Sequence, residues 1–171
     1  MPVTLRPWRN TDILALVSLA DNPNVSAYLT DGFPKPYNCE AAERFIALAL
    51  SENPRKILAI SVEGKIAGSI GVYPQHDIYR KNAELAYWLG EPFWGNGYMP
   101  LAIHKMCRYA FETWQLERVF ARPMASNLRS RKVLEKSGFV LEYEIKGNLI
   151  KNEQLEDECC YGLRRNWLEM L

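Results

Sequence analysis

"EPFWGNGYMP", residues 91–100, places Gly95 and Gly97 one residue apart among aromatic side chains, directly before a stretch with helical spacing. Two readings of that placement compete. In one, Gly95 or Gly97 supplies backbone angles that a turn needs. In the other, the small residues let main-chain N–H groups close on an anion at a helix N-terminus. From Tyr98 to Trp114, Met99, Ala102, Ile103, Met106, Ala110 and Trp114 share one helical face, and His104, Lys105, Arg108 and Glu112 share the other. Pro100 is tolerated only in a first turn, so this helix starts close to Gly97.

Outward from that point the chain alternates between strand and helix. Before it, "VTLRPW" (3–8) reads as a strand and "TDILALVSLA" (11–20) as a helix capped by Thr11 or Asn10. "YLTDGFPKPYN" (28–38) is a loop, and "CEAAERFIALAL" (39–50) a helix capped by Asn38. "KILAISV" (56–62) and "KIAGSIGVY" (65–73) flank Glu63-Gly64, a hairpin signal, and "AELAYWLG" (83–90) is a third strand. After the long helix come a strand "RVFARPM" (118–124), a helix "NLRSRKVLEKS" (127–137) stopped by Gly138, and strands "GFVLEYEIKG" (138–147) and "ECCYGLRR" (158–165). "NWLEML" (166–171) closes the chain as a helical turn. This order predicts an α/β chain: a mixed central sheet of about six or seven strands, with helices on both faces.

Composition narrows the function classes. The chain has 171 residues, 48% of them hydrophobic, enough for a core without staples and most simply one domain over residues 1–171. With 21 Lys and Arg against 20 Asp and Glu, the formal net charge of +1 gives no field for sequence-independent nucleic-acid binding. The aromatics Trp88, Phe93, Trp94 and Tyr98 therefore read as packing rather than as a base-stacking platform. Cys39, Cys107, Cys159 and Cys160 form no C-x-x-C, and with only His76 and His104 beside them no metal spacing appears. They read as free thiols, buried or half-buried, in a reducing compartment. "MPVTLRPWRN" lacks an apolar signal core and no run approaches a membrane span, so the expected location is cytoplasmic.

The glycines exclude two phosphate motifs. Gly90 and Gly95 have P-loop spacing, but Asn96 and Gly97 follow where Lys and Ser or Thr belong. Gly95-x-Gly97 begins a dinucleotide fingerprint, but Pro100 occupies the position of its third glycine. What survives is strand, two-glycine loop and helix N-terminus, where orphan N–H groups and the macrodipole suit a pyrophosphate.

Taken together, "AELAYWLGEPFWGNGYMPLAI" and "MASNLRSRKVLEKSGFVLEYEI" resemble the GNAT superfamily of acyl-CoA-dependent N-acetyltransferases. The nearest branch holds the ribosomal-protein N-terminal acetyltransferases, and the resemblance extends over almost the whole chain. It implies the GNAT fold, with a bulged strand before the cofactor loop, and acetyl-CoA as co-substrate without a metal. The family's phosphate loop, Q/R-x-x-G-x-G/A, falls on Trp94, Gly95, Asn96, Gly97, Tyr98 and Met99. Trp94 is usual for this branch, whereas Met99 and Pro100 depart from the pattern: the proline removes one N–H and the methionine crowds the turn, which weakens the cofactor binding that the resemblance implies. By the same resemblance, Tyr87, Trp88, Leu89 and Gly90 splay at the bulge and pair with the pantetheine arm. Asn127 matches the asparagine that hydrogen-bonds that arm.

Acetyl transfer needs a deprotonated amine, donors for the tetrahedral oxyanion, and a proton for the departing thiolate. Leu134 stands where many relatives carry the tyrosine acid. In the branch resembled, a serine three residues after the asparagine takes that role, which is Ser130 here; the bland alternative is a helix serine bonding back to a carbonyl. Glu84 resembles the glutamate that orders water toward the amine, and its bland alternative is an ion pair with a surface lysine. A backbone N–H near Leu89 is the oxyanion candidate, and Tyr28, Asp31 and Tyr37 lie on the acceptor side. The expected reaction moves acetyl from acetyl-CoA to a primary amine, on a small molecule or a protein N-terminus, without a cysteine carrier. The rival readings are a non-catalytic acyl-CoA-binding module and an interaction protein. "NWLEML" leaves monomer and homodimer both open.

Overall fold

The computed structural model describes residues 3–168. Among the described residues, seven strands hydrogen-bond in the order β1-β2-β3-β4-β5-β7-β6: β1 (Val3–Arg6), β2 (Ile57–Val62), β3 (Lys65–Pro74), β4 (Asn82–Leu89), β5 (Arg118–Ala121), β6 (Val140–Lys151) and β7 (Gln154–Arg164). Six α-helices are interleaved among the described residues: α1 (Ile13–Ala20), α2 (Pro23–Ser26), α3 (Cys39–Ser51), α4 (Tyr98–Trp114), α5 (Leu128–Lys136) and α6 (Arg165–Leu168). The chain divides into two compact units, Met1–Gly71 with Tyr87–Ala102, and Val72–Ala86 with Ile103–Leu171. Strands β3 and β4 and helix α4 run through both.

In the first unit, β1, β2 and β3 pair antiparallel. The β2–β3 turn is Glu63-Gly64 as expected, with φ of 50° and 81°, the two positive values of a hairpin turn that suits strand twist. Trp8, Leu16, Tyr37, Ala42, Ile46, Ala59 and Ile66 form the core against which α1 and α3 pack. Asn38 Oδ1 accepts from the Ala41 N–H at 2.9 Å, the expected cap of α3.

The start of α1 departs from expectation. Residues Asn10–Asp12 form a 3₁₀ turn, and neither Thr11 nor Asn10 caps. Asp12 reaches back to the Arg9 N–H at 2.9 Å while Arg6 grips its carboxylate through two 2.8 Å bonds, so an acid three residues on satisfies the orphan donor. Helix α2 was not expected; Asn22 caps it through the Asn24 N–H at 2.8 Å and Pro23 supplies its first position.

In the second unit, β4 runs parallel to β5, and β5, β7 and β6 are antiparallel neighbours. The β6–β7 hairpin is longer than the sequence suggested, turning at Asn152-Glu153 with φ of 50° and 63°. The "RVFARPM" strand ends early, at Ala121, ahead of Pro123, which has no N–H for a ladder. Cys159 and Cys160 are fully buried although neighbours on a strand point to opposite faces, so β7 is covered on both. Cys39, by contrast, is exposed at the first position of α3. Of the terminal turn, α6 reaches Leu168, and residues 169–171 lie outside the described residues.

At Gly68 the main chain of β3 lies close against that of β4. A Cβ there would stand 2.2 Å from the Trp88 carbonyl oxygen and 2.9 Å from Leu89 Cα, both main-chain atoms. Gly68→Ala is therefore expected to lower stability by about 1–3 kcal/mol, read from the urea unfolding midpoint.

Candidate functional site

In the first unit, β4 runs into a 3₁₀ turn (Glu91–Phe93), the loop Trp94–Gly97 and helix α4. The turn is fixed from several sides. The Gly90 N–H donates to the Ala67 carbonyl at 2.8 Å, and the Glu91 carboxylate accepts from the side-chain amides of Asn22 at 2.7 Å and Asn24 at 3.0 Å. Trp94 Nε1 donates to the Leu89 carbonyl at 2.7 Å, bolting the loop to the strand it leaves. Asn96 folds its side-chain amide back on the Trp94 carbonyl at 3.0 Å.

Gly95 and Gly97 have φ of 78° and 74°, and a Cβ on either would meet nothing within 4 Å. The glycines thus answer to backbone angle and not to crowding by this chain, and the space around them is open. Among the described residues, the N–H groups of Gly95, Asn96 and Gly97 donate to no backbone carbonyl. They stand just before a 17-residue helix, at the positive end of its macrodipole. Met99, the departure from the family loop, turns its side chain into the interior with 7% exposure, so it does not crowd the loop.

In the second unit, β4 and β5 pair only as far as Glu84 and Phe120. Where that pairing stops, Arg122 holds Glu84 side-on, Nε to Oε1 and Nη2 to Oε2, both at 2.9 Å. The Phe120 ring lies beneath two guanidinium groups, 4.6 Å from Arg118 and 5.8 Å from Arg122. Arg118 is engaged separately, with Glu142 and with Asn82 Oδ1. Gly162 makes room for that pair, since a Cβ there would strike the Glu142 carboxylate. The Glu84–Arg122 pair is partly solvated, with side-chain exposures of 28% and 42%. Such a pair contributes only about 0–1 kcal/mol to stability.

Helix α5 carries Asn127 and Ser130 at its start. Asn127 Oδ1 accepts from the Ser130 N–H at 3.1 Å and so caps the helix. Tyr161 of β7 ties α5 down: its hydroxyl donates to Glu135 at 2.9 Å and accepts from Arg131 Nε at 3.0 Å. Arg131 also donates to the Ala125 carbonyl at 3.1 Å, bracing the turn that precedes Asn127.

Residues singled out from the sequence fall into three groups. Tyr87, Trp88, Leu89, Gly90 and Trp94 to Met99 are together in the first unit, and Glu84, Asn127 and Ser130 are in the second. On the expected acceptor segment Tyr28 and Asp31 are exposed, but Tyr37 is a core residue, 3% exposed, with its ring tilted against Phe33 at 5.0 Å. Its ring is consumed by packing, so it has no free face for an acceptor. Glu84 pairs with an arginine and not with a surface lysine. Arg122 was not singled out; the alternation Arg118-Phe120-Arg122 opposite Asn82 and Glu84 is the pattern that carried it. Among the described residues, no group of three or more His, Cys, Asp or Glu could hold a metal ion, and no helix is long and apolar enough to cross a membrane.

Comparison with known proteins adds five findings. The acetyltransferase (GNAT) domain family profile matches residues 3–140. The relative named "Putative ribosomal N-acetyltransferase YdaF", of Bacillus subtilis (strain 168), is 34% identical over 106 residues, 61% of this chain and 57% of that protein. The chain thus spans little more than half the length of that relative. The SPbeta prophage-derived uncharacterized N-acetyltransferase YokL of the same organism is 24% identical over 170 residues, 98% of this chain and 93% of its own. Among solved structures, Mycobacterium smegmatis RimJ in complex with CoA-disulfide has a TM-score of 0.84 at 22% identity, covering 96% of this chain and 82% of that one. Spermidine N-acetyltransferase from Vibrio cholerae, in complex with CoA and spermine, has a TM-score of 0.81 at 19% identity over 98% of each chain. Those two likenesses show the fold.

Burial pushes the Tyr37 hydroxyl up to about 12. The unfolded chain ionises this group near pH 10, so its contribution to stability is complete below that pH and is lost as pH rises toward 12. Burial raises Tyr161 as well, and the Cys160 hydrogen bond raises Tyr143. Urea unfolding across this alkaline window is expected to show falling stability in the wild type and a shallower fall in Tyr37→Phe.

Proposed function

The chain belongs to the GNAT acetyltransferase family, and from that premise we propose that it moves the acetyl group of acetyl-CoA directly to a primary amine within a ternary complex. The observation that carries this reading is the loop at Gly95–Gly97: three main-chain donors without carbonyl partners, held ahead of a long helix and open to a diphosphate. Trp94, Gly95, Asn96, Gly97, Tyr98 and Met99 form the pyrophosphate loop, while Tyr87 to Gly90 offer backbone to the pantetheine arm. With Asn127 Oδ1 committed to the cap, the Asn127 NH₂ group is the donor left for that arm.

In the reaction, the amine nitrogen attacks the thioester carbonyl, the oxyanion is stabilised by an N–H near Leu89, and the C–S bond then breaks. Ser130 passes a proton to the departing thiolate and regains one from the attacking amine through water, so that the thiol leaves neutral and the serine is unchanged. Glu84 orders water toward the amine, which loses a proton on its way to the amide. Tyr28 and Asp31 border the acceptor. No step needs a metal or a covalent enzyme intermediate. The acceptor is a protein N-terminus or a small-molecule amine, the protein acts in the cytoplasm as a monomer or homodimer, and residues 1–171 work as one domain. The family profile supports this last point, since it runs through residues of both units. A second reading, a non-catalytic acyl-CoA-binding module, is favoured by one observation: Leu134, fully buried, occupies the position of the tyrosine acid.

Calorimetry with acetyl-CoA and thiol release with a panel of primary amines decide between them. Acetyl transfer predicts saturable cofactor binding, amine-dependent thiol release, and a roughly 100-fold slower release in Ser130→Ala with binding retained. Binding without release from any amine supports the module, and no binding contradicts both.

A further inference from the structure

We infer that Arg122 is a positioning residue for Glu84, fixing that carboxylate where the β4–β5 ladder ends. This inference rests on the acetyl-transfer reading. Glu84 is the last residue of β4 in register with β5, opposite Phe120. Arg122 lies two residues further along the chain from Phe120, so it reaches Glu84 diagonally across the point at which pairing stops. A carboxylate at the end of a ladder is otherwise free to swing between rotamers. Two parallel 2.9 Å bonds from one rigid guanidinium fix both its direction and its plane.

The fork takes one acceptor site on each oxygen and leaves the other for an ammonium group or a water. Arg122 is itself steadied over the Phe120 ring at 5.8 Å. The neighbouring cation does not compete for Glu84, because Arg118 is occupied by Glu142 and Asn82. Geometry and charge are separable here. A lysine would keep the charge but lose the fork, since an ammonium is a point donor on a flexible stem.

The test is steady-state thiol release from acetyl-CoA with n-propylamine as the probe acceptor, together with thermal unfolding of each variant. Arg122→Gln is expected to lower kcat roughly tenfold while leaving the KM for acetyl-CoA and the unfolding midpoint close to wild type. Arg122→Lys is expected to recover little of that loss, and Arg122→Gln combined with Glu84→Gln to be no slower than the slower single variant. Should Arg122→Gln fail to fold, Arg122→Lys carries the test by the same kcat-against-KM split. Unchanged kcat in the folded Arg122 variants, or fully additive losses in the double variant, overturns the inference alone. Wild type releasing no thiol in response to propylamine, or to the wider amine panel, overturns the acetyl-transfer reading and this inference with it.

Discussion

The two positive φ angles at Gly95 and Gly97 are the constraint on which the rest turns. They bring the chain from the end of β4 to the start of α4 in a loop that leaves consecutive amide donors without main-chain acceptors. Left-handed backbone is costly for any residue with a Cβ, and helix N-termini always carry orphan N–H groups. Combining the two gives a small electropositive nest that needs no basic side chain. That suits a protein whose formal net charge is only +1. The surroundings hold the nest in shape: the Trp94 indole on the Leu89 carbonyl, Glu91 between Asn22 and Asn24, and Gly90 under Leu19.

The second unit is organised by ion pairs and hydrogen bonds whose value lies in orientation more than in stability. Tyr161, Arg131 and Glu135 link β7 to α5, and they thereby fix the end of the helix that bears Asn127 and Ser130. Glu84 and Arg122 mark the last step of the parallel β4–β5 pairing. A partly solvated pair adds little to folding free energy. A side-on fork does, however, restrict a carboxylate to one plane, which a reacting centre can use.

Much of this was legible in the sequence because the signals were local. The helix at 98–114 is bounded by a proline allowed only in its first turn and by a continuous apolar face, and it forms over those residues. Glu63-Gly64 and Asn38 were readable for the same reason: turn chemistry and capping depend on one or two residues. The losses came where a partner from elsewhere decides. Asp12 caps from a position that Arg6, six residues earlier, also holds; Tyr37 sits in a polar, proline-bearing loop yet is buried by Phe33 and the α1–α3 core. The β6–β7 hairpin extends through a charged stretch with an Asn-Glu turn, a weak local signal made good by cross-strand pairing. Arg122 was invisible because its role exists only once β4 and β5 are side by side.

The family assignment and the shape of the loop converge on one claim, that main-chain amides at residues 95–97 grip the diphosphate of coenzyme A. Titrating coenzyme A into isotope-labelled protein, while following the amide resonances of Gly95, Asn96 and Gly97, tests it most directly. The account predicts saturable shifts at those three amides, with slowed exchange against solvent. Saturable binding that leaves all three unmoved, and shifts amides elsewhere in the chain, would contradict it.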